Sequence, residues 1–212
     1  MKTGGTQNLA QPIPSCWKQA FLFRLADGKP VLIRPVLPED KERLAAGVAA
    51  MSGNSRYLRF FTGTTQLSPE QLAYFTEVDQ EKHVAWCALD PATPEFRGLG
   101  LGRFVRSAED PSIAEWALAV IDPMQGRGIG TVLLAMLHIQ ARRLGIRILR
   151  GLVLPENQPV IDWMTDLGAM VHYGLEVHRV DLPVCDEASP AETPAAERLH
   201  RTMAQLAEAM KS

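Results

Sequence analysis

The run from Glu115 to Thr131, Glu-Trp-Ala-Leu-Ala-Val-Ile-Asp-Pro-Met-Gln-Gly-Arg-Gly-Ile-Gly-Thr, limits most strongly what this chain can become. It opens as an apolar strand, crosses a Pro-containing turn and enters a long helical pattern, with the glycines at the junction. A glycine-rich turn feeding a helix leaves several backbone N–H groups without intrahelical acceptors, all aimed one way. With the positive end of the helix dipole they form an anion site, most often used for phosphate. Gly128 and Gly130 carry no Cβ, so a ligand can approach the backbone closely there. The nucleoside-triphosphate loop is excluded because no Lys follows Gly130. The dinucleotide fingerprint is excluded because Gly126-Arg127-Gly128-Ile129-Gly130 is spaced Gly-x-Gly-x-Gly.

The chain has 212 residues, which suits one domain with extensions, and its 46% apolar content supports a sizeable core. We expect a flexible arm over 1–18, a catalytic domain over 19–183, and an acidic Pro/Ala linker with an amphipathic helix over 184–212. With 22 basic and 24 acidic residues and a net charge of −2, nothing favours nucleic acid or an acidic membrane as partner. No apolar run approaches the roughly 20 residues of a membrane span. Met1 to Ser15 is polar and lacks a signal-peptide core, so a cytoplasmic protein is expected. Cys16, Cys87 and Cys185 are scattered, and the histidines at 83, 138, 172, 178 and 200 lack ligand spacing. No metal is expected. Cys87, in an apolar strand, reads as core.

Taken in order, residues 21–25, 30–36, 84–89, 98–107, 113–121, 147–154, 169–173 and 177–182 read as strands. Helices are expected from Pro38 to about Met51, Pro69 to about Val78, Ile129 to Leu144, Asn157 to Leu167 and Glu197 to Lys211. Ser52-Gly53-Asn54 reads as a stop. The alternating Gly98, Gly100 and Gly102 mark a bulge or a close approach of another backbone. From Ile113 to Leu167 the order strand, helix, strand, helix implies a parallel crossover in a mixed α/β (α+β) sheet of about six to seven strands flanked by helices. In the last helix Leu199, Met203, Leu206 and Met210 form one stripe, which docks on the domain or, less favoured by its length, pairs with a second copy as a homodimer.

Gln125, Gly128 and Gly130 fit Gln-x-x-Gly-x-Gly, and this loop resembles the pyrophosphate-binding motif of the GNAT superfamily of N-acetyltransferases. The resemblance covers about Val31 to Leu182. Ser55-Arg56-Tyr57-Leu58-Arg59-Phe60-Phe61 is similar to a Ser-x-x-x-x-Arg-Phe-Phe element of the Pat-type protein-lysine acetyltransferase branch, which modifies acyl-CoA synthetases. Ile113-Ala114-Glu115-Trp116-Ala117 is similar to that branch's Ala-Glu-Val-Ala strand, and Leu154-Pro155-Glu156-Asn157 to the general Leu-x-x-Asn helix entry. The resemblance implies a GNAT fold, acetyl-CoA as cosubstrate, no metal, and a protein acceptor such as an acyl-CoA synthetase. Some relatives fuse the domain to a cyclic-nucleotide-binding or CoA-ligase-like partner, for which this chain is too short. Many GNAT enzymes place a tyrosine general acid seven residues after the Asn; here that position is Met164, so no tyrosine acid is assigned. Tyr173 lies near it in sequence.

Transfer from a thioester to an amine needs the amine neutral, and a lysine with pKa near 10.4 must be deprotonated. Glu115 is the expected general base: flanked by Ala114, Trp116 and Ala117, it could be desolvated, and it lies on the strand leading to the loop. The competing reading pairs it with Arg103 or Arg106. The resemblance implies that a backbone amide at or near Val120 serves the oxyanion. It also implies that Gln125, Gly126, Arg127, Gly128, Ile129, Gly130 and Thr131 contact the pyrophosphate, mainly through backbone. Asn157 resembles the residue that binds the pantetheine arm and can also cap its helix. Arg56, Tyr57 and Arg59 are candidates for the acceptor groove, with Tyr57, Phe60 and Phe61 favoured instead as packing. Rival functions are acetylation of a small amine and acyl-CoA sensing without catalysis.

Overall fold

Eight strands form one sheet: β1 (Phe21–Arg24), β2 (Pro30–Pro35), β3 (His83–Leu89), β4 (Gly98–Arg106), β5 (Ile113–Val120), β6 (Ile148–Val153), β7 (Met170–His172) and β8 (His178–Pro183). Their order is β1-β2-β3-β4-β5-β6-β8-β7, so the sheet takes every predicted strand and exceeds the expected six to seven. The structure is a computed structural model and describes residues 12, 14, 15, 17–184 and 192–210. Most of the expected N-terminal arm and much of the linker fall outside these residues, as do Cys16 and Cys185.

The β5–β6 pair is parallel and the other neighbours are antiparallel. A parallel pair requires a crossover, which α4 (Ile129–Arg143) supplies. The helix is buried along most of its length, and each fully buried leucine on it contributes about 1.5–3 kcal/mol. The glycines of β4 explain how closely it lies. A Cβ on Gly102 would stand 3.3 Å from Leu133 Cβ, and one on Gly100 would stand 2.9 Å from Ala119 O and 3.0 Å from Leu133 Cδ1. The β3–β4 register also shifts between Ala88 and Leu89, opposite Gly100 and Gly98. Both readings of the alternating glycines hold.

The opposite face carries α1 (Lys41–Ala49), α2 (Gly53–Phe60) and α3 (Pro69–Thr76). The expected helix from Pro38 starts as a 3-10 turn, Pro38–Asp40. Asp40 is drawn inward by Arg34, which is fully buried on β2 and donates to it twice, at 2.7 and 2.6 Å. Burial pushes the Asp40 carboxyl up, but the hydrogen bonds and charge of Arg34, with the Leu37 amide and Arg43, together outweigh that and hold it below the usual carboxylate range. Trp17 lies over the Arg34 guanidinium at 4.1 Å and donates its indole N–H to Glu39, so the end of the expected arm is buried. The stop read at Ser52 is also a start: Ser52 Oγ accepts from Ser55 N–H and caps α2.

After β6, α5 (Gln158–Asp166) leads to the last hairpin, and α6 (Pro194–Ala209) closes the described chain. Thr193 caps α6 through Ala196 N–H. Leu199 and Leu206 are buried and Met203 and Met210 pack against the same core, so the stripe is used on α4 of its own domain. No helix among the described residues is long and apolar enough to cross a membrane.

Candidate active site

The β5–β6 ladder stops at Glu115. Its register runs Ile113 with Ile148, Ala114 with Leu149 and Glu115 with Arg150, although β5 continues to Val120 and β6 to Val153. Beyond that point the strands part, and the Trp116 indole fills the wedge. A Cβ on Gly151 would lie 2.7 Å from that ring.

The parting frees backbone donors. Ile121 N–H donates to Leu99 O and Ser107 N–H to Ile113 O, so the odd-numbered residues of β5 bond to β4. Even-numbered residues turn their amides toward β6, and those of Leu118 and Val120 lie past the end of its ladder. At about 3.3 Å per residue, Leu118 is roughly 10 Å along the strand from Glu115 and Val120 roughly 16 Å. The nearer amide, Leu118, was not singled out from sequence. The register of an antiparallel pair was needed to find it.

The groove at this fork has a volume of about 190 Å³. Ser55, Leu58 and Arg59 line it from α2, Arg103 and Glu115 from the sheet, and Asn157, Val160 and Trp163 from the α5 side. Glu115 is exposed within it and makes no hydrogen bond or ion pair among the described residues. Neither expected basic partner reaches it. Arg103 donates to His83 Nε2 at 3.2 Å, and Arg106 to Pro111 O and Leu144 O at 2.7 and 2.6 Å. The expected desolvation of Glu115 is not realised. Ala114 and Trp116 are buried on the α4 face, and strand alternation leaves the carboxylate facing solvent.

The glycine loop begins with the 3-10 turn Asp122–Met124. Gly126 and Gly128 have φ of 70° and 92°, and Gly128 is the N-cap of α4. Among the described residues, the amides of Gly126, Arg127, Gly128, Ile129, Gly130 and Thr131 donate to no acceptor. Six consecutive free donors at a helix N-terminus form an anion cradle. Gln125 differs from expectation. Its amide donates to Asp122 O, and its side chain donates to Val120 O at 3.0 Å and Ser55 Oγ at 3.3 Å, so it braces the loop and offers no free donor. The Arg127 guanidinium is ion-paired to Asp27, while its amide stays free. The cradle adjoins the groove at Gly130, whose Cβ position is 3.8 Å from both Leu118 and Trp163.

Asn157 occupies the N-cap position of α5, yet its side chain makes no capping bond. The carboxamide is therefore available to the groove. Met164 is fully buried in the core, and Tyr173 is 77% exposed and packs edge-on against His178 at 4.9 Å, so neither presents a proton donor to the groove. Tyr57 and Phe61 are exposed, against the expectation that they pack inward. Phe60 does pack, on Phe75, and Arg56 donates back to Met51 O. His138 and Cys87 are buried away from the groove, and burial pushes the Cys87 thiol up to about 12. No cluster of three or more metal-ligating side chains occurs among the described residues.

The sheet thus splits beside a glycine turn whose free amides suit an anion, an arrangement in keeping with acyl transfer from a phosphate-bearing donor. The chain matches the family described as Acetyltransferase (GNAT) family over residues 50–169, more than half its length, and belongs to that family. The acetyltransferase Pat of Mycolicibacterium smegmatis is 33% identical over 157 residues, 73% of this chain and 46% of that protein. The chain thus spans less than half the length of that curated relative. Acetyltransferase PA5475 of Pseudomonas aeruginosa is 32% identical over 144 residues, 68% of this chain and 77% of that protein. The solved GNAT domain of S. lividans PAT superposes with a TM-score of 0.71 at 30% identity, over 81% of this chain and 99% of that one.

Proposed function

We propose that this domain transfers the acetyl group of acetyl-CoA directly to a lysine side chain of a protein, with Glu115 as general base. The observation that carries the proposal is Glu115 itself: an unpaired carboxylate at the fork of β5 and β6, in an open groove. Acetyl-CoA supplies the thioester-activated acyl group. The free amides from Gly126 to Thr131 suit its pyrophosphate, and the Asn157 carboxamide suits the amides of the pantetheine arm. The Leu118 and Val120 amides, past the end of the β6 ladder, suit a thioester carbonyl that gains negative charge.

Glu115 takes a proton from the incoming ammonium, directly or through water. The freed nitrogen attacks the carbonyl carbon; as the C–S bond breaks, the nitrogen gives its second proton to solvent and the CoA thiolate takes one up from solvent. A protein acceptor is favoured over a small amine by a groove that opens to solvent and carries the exposed apolar side chains of Phe61 and Leu152. A polyamine is disfavoured because Glu115 is the sole acidic side chain among the lining residues described. An acyl-CoA synthetase is the acceptor that the likeness to Pat suggests.

The test is acetyl-lysine mass spectrometry of a lysate treated with the protein and acetyl-CoA, wild type beside Glu115→Gln. Loss of general-base catalysis lowers transfer about a hundred- to ten-thousand-fold while acetyl-CoA still binds. Equal labelling by both proteins would remove Glu115 from this role. CoA release from small amines alone would move the acceptor class, and silence in both channels would leave a sensor.

A further inference from the structure

The acceptor end of the groove is short of negative charge. Arg59 and Arg103 both line it beside Glu115, and no other acid lines it among the described residues. Arg59 donates to no acceptor there; its guanidinium rests over the Phe60 ring at 5.1 Å. Burial and the nearby Arg103 push the Arg59 pKa down to about 10, with Glu115 alone opposing them. Arg103 is held by the faces of Tyr74 and Phe75, at 5.0 and 4.7 Å, and its Nε is buried without a partner. Its hydrogen-bond partner among the described residues, His83, is kept neutral, because burial and Arg103 push its pKa down to about 4. This arginine pair is not part of the phosphate cradle. Arg103 pairs with Ala117 on β5, toward the Glu115 end, whereas the free loop amides start after the strand has ended.

Building on the lysine reading above, we propose that Arg59 and Arg103 bind a carboxylate of the acceptor, so that the enzyme selects lysines with an acidic neighbour. Two guanidiniums fixed by aromatic faces present their donors without rotating freely, which suits a planar carboxylate. The carboxylate would restore charge balance around Arg59 and align the lysine ammonium on Glu115.

The test uses the full chain, acetyl-CoA and lysine peptides in which a single Glu or Gln is moved along the positions flanking the lysine. Wild type should favour the best Glu peptide over its Gln twin by about ten-fold in kcat/KM, the size of one charge-assisted hydrogen bond. Arg59→Gln should abolish that ratio and Arg59→Lys should keep part of it, with acetyl-CoA affinity reporting that each variant is folded. Peptides acetylated without regard to the acid, or a ratio unchanged in Arg59→Gln, overturn the proposal and leave the lysine reading standing. A parallel arm with small amines, with and without a carboxylate, separates the two ideas. Transfer confined to carboxylated small amines keeps the arginine assignment and removes the protein lysine, and no transfer to any acceptor overturns both.

Discussion

The Gln125 side-chain amide donates to the Val120 carbonyl at 3.0 Å and to Ser55 Oγ at 3.3 Å, joining the loop, the end of β5 and helix α2. Asp122 completes the tie, accepting from Ser55 Oγ at 2.8 Å and Ser52 N–H at 2.9 Å. The residue that marks the motif in sequence therefore acts through its neighbours. It fixes the Val120 carbonyl and ties α2, which carries Arg59, to the end of β5.

Replacing Gln125 by Ala leaves the Val120 carbonyl without its donor, a change that costs about 1–3 kcal/mol. We expect kcat/KM for acetyl transfer to fall about ten-fold or more, with melting temperature lowered only modestly. Gln125→Glu should be worse, since it sets a carboxylate against a carbonyl and close to Asp122. Steady-state kinetics on both variants decide this: wild-type values would show that the brace is dispensable.

At Gly128 the requirement is conformational. A Cβ there would meet nothing within 4 Å, but φ is 92°, where side-chain-bearing residues are strained by about 1–2 kcal/mol. Gly128→Ala should relieve that strain by rotating the peptide, which turns donors out of the cradle. Titration calorimetry should then show acetyl-CoA affinity weakened by roughly ten-fold or more, out of proportion to any loss of stability. Unchanged affinity would mean that the loop amides do not hold the cofactor.

His83 gives a pH signature. Burial first, and Arg103 second, push its pKa from 6.5 down to about 4, so Nε2 stays free to accept from Arg103. A depressed folded pKa adds stability above the unfolded value of 6.5, and that stability is lost as pH falls from there toward 4, because the unfolded chain takes up the proton first. The His83 resonances should titrate in NMR with a midpoint near 4. Urea unfolding at pH values between these limits should show wild type losing stability faster than His83→Gln. A midpoint near 6.5 would show that the pocket is wetter than described.

What the sequence made legible was local. The loop, the β5–α4–β6–α5 order, the irregularity at the β4 glycines and the place of Glu115 on the strand before the loop all follow from spacing within a few turns of chain. Met164 was recognised as a departure, and its full burial accords with that. The rest depended on tertiary contact. Ser52 looked like a stop because its capping of α2 shows only in the bond to Ser55. Arg34 and Asp40 gave no sign that they meet inside the core. Arg59, Arg103 and His83 come from an α-helix and two strands, and no spacing rule joins them. Glu115 was expected to be desolvated by its sequence neighbours, but neighbours along a strand lie on the opposite face.

Nothing in the sequence sets Gly151 apart, yet it sits where β5 and β6 separate. A Cβ there would fall 2.7 Å from two carbons of the Trp116 ring and 2.8 Å from its nitrogen, and the ring is itself buried between the strands. An indole cannot fold aside as a lysine tip can, so Gly151→Ala must move the ring or widen the fork. Either change shifts the Leu118 and Val120 amides relative to Glu115. We expect a clear drop in melting temperature, of the few degrees that about 1–3 kcal/mol of overpacking produces, with transfer lost further than binding. The double variant Gly151→Ala with Trp116→Phe removes part of the ring that clashes and should recover stability. Tryptophan fluorescence and melting curves on the single and double variants check this: a single variant as stable as wild type would show that the fork is not set by this contact.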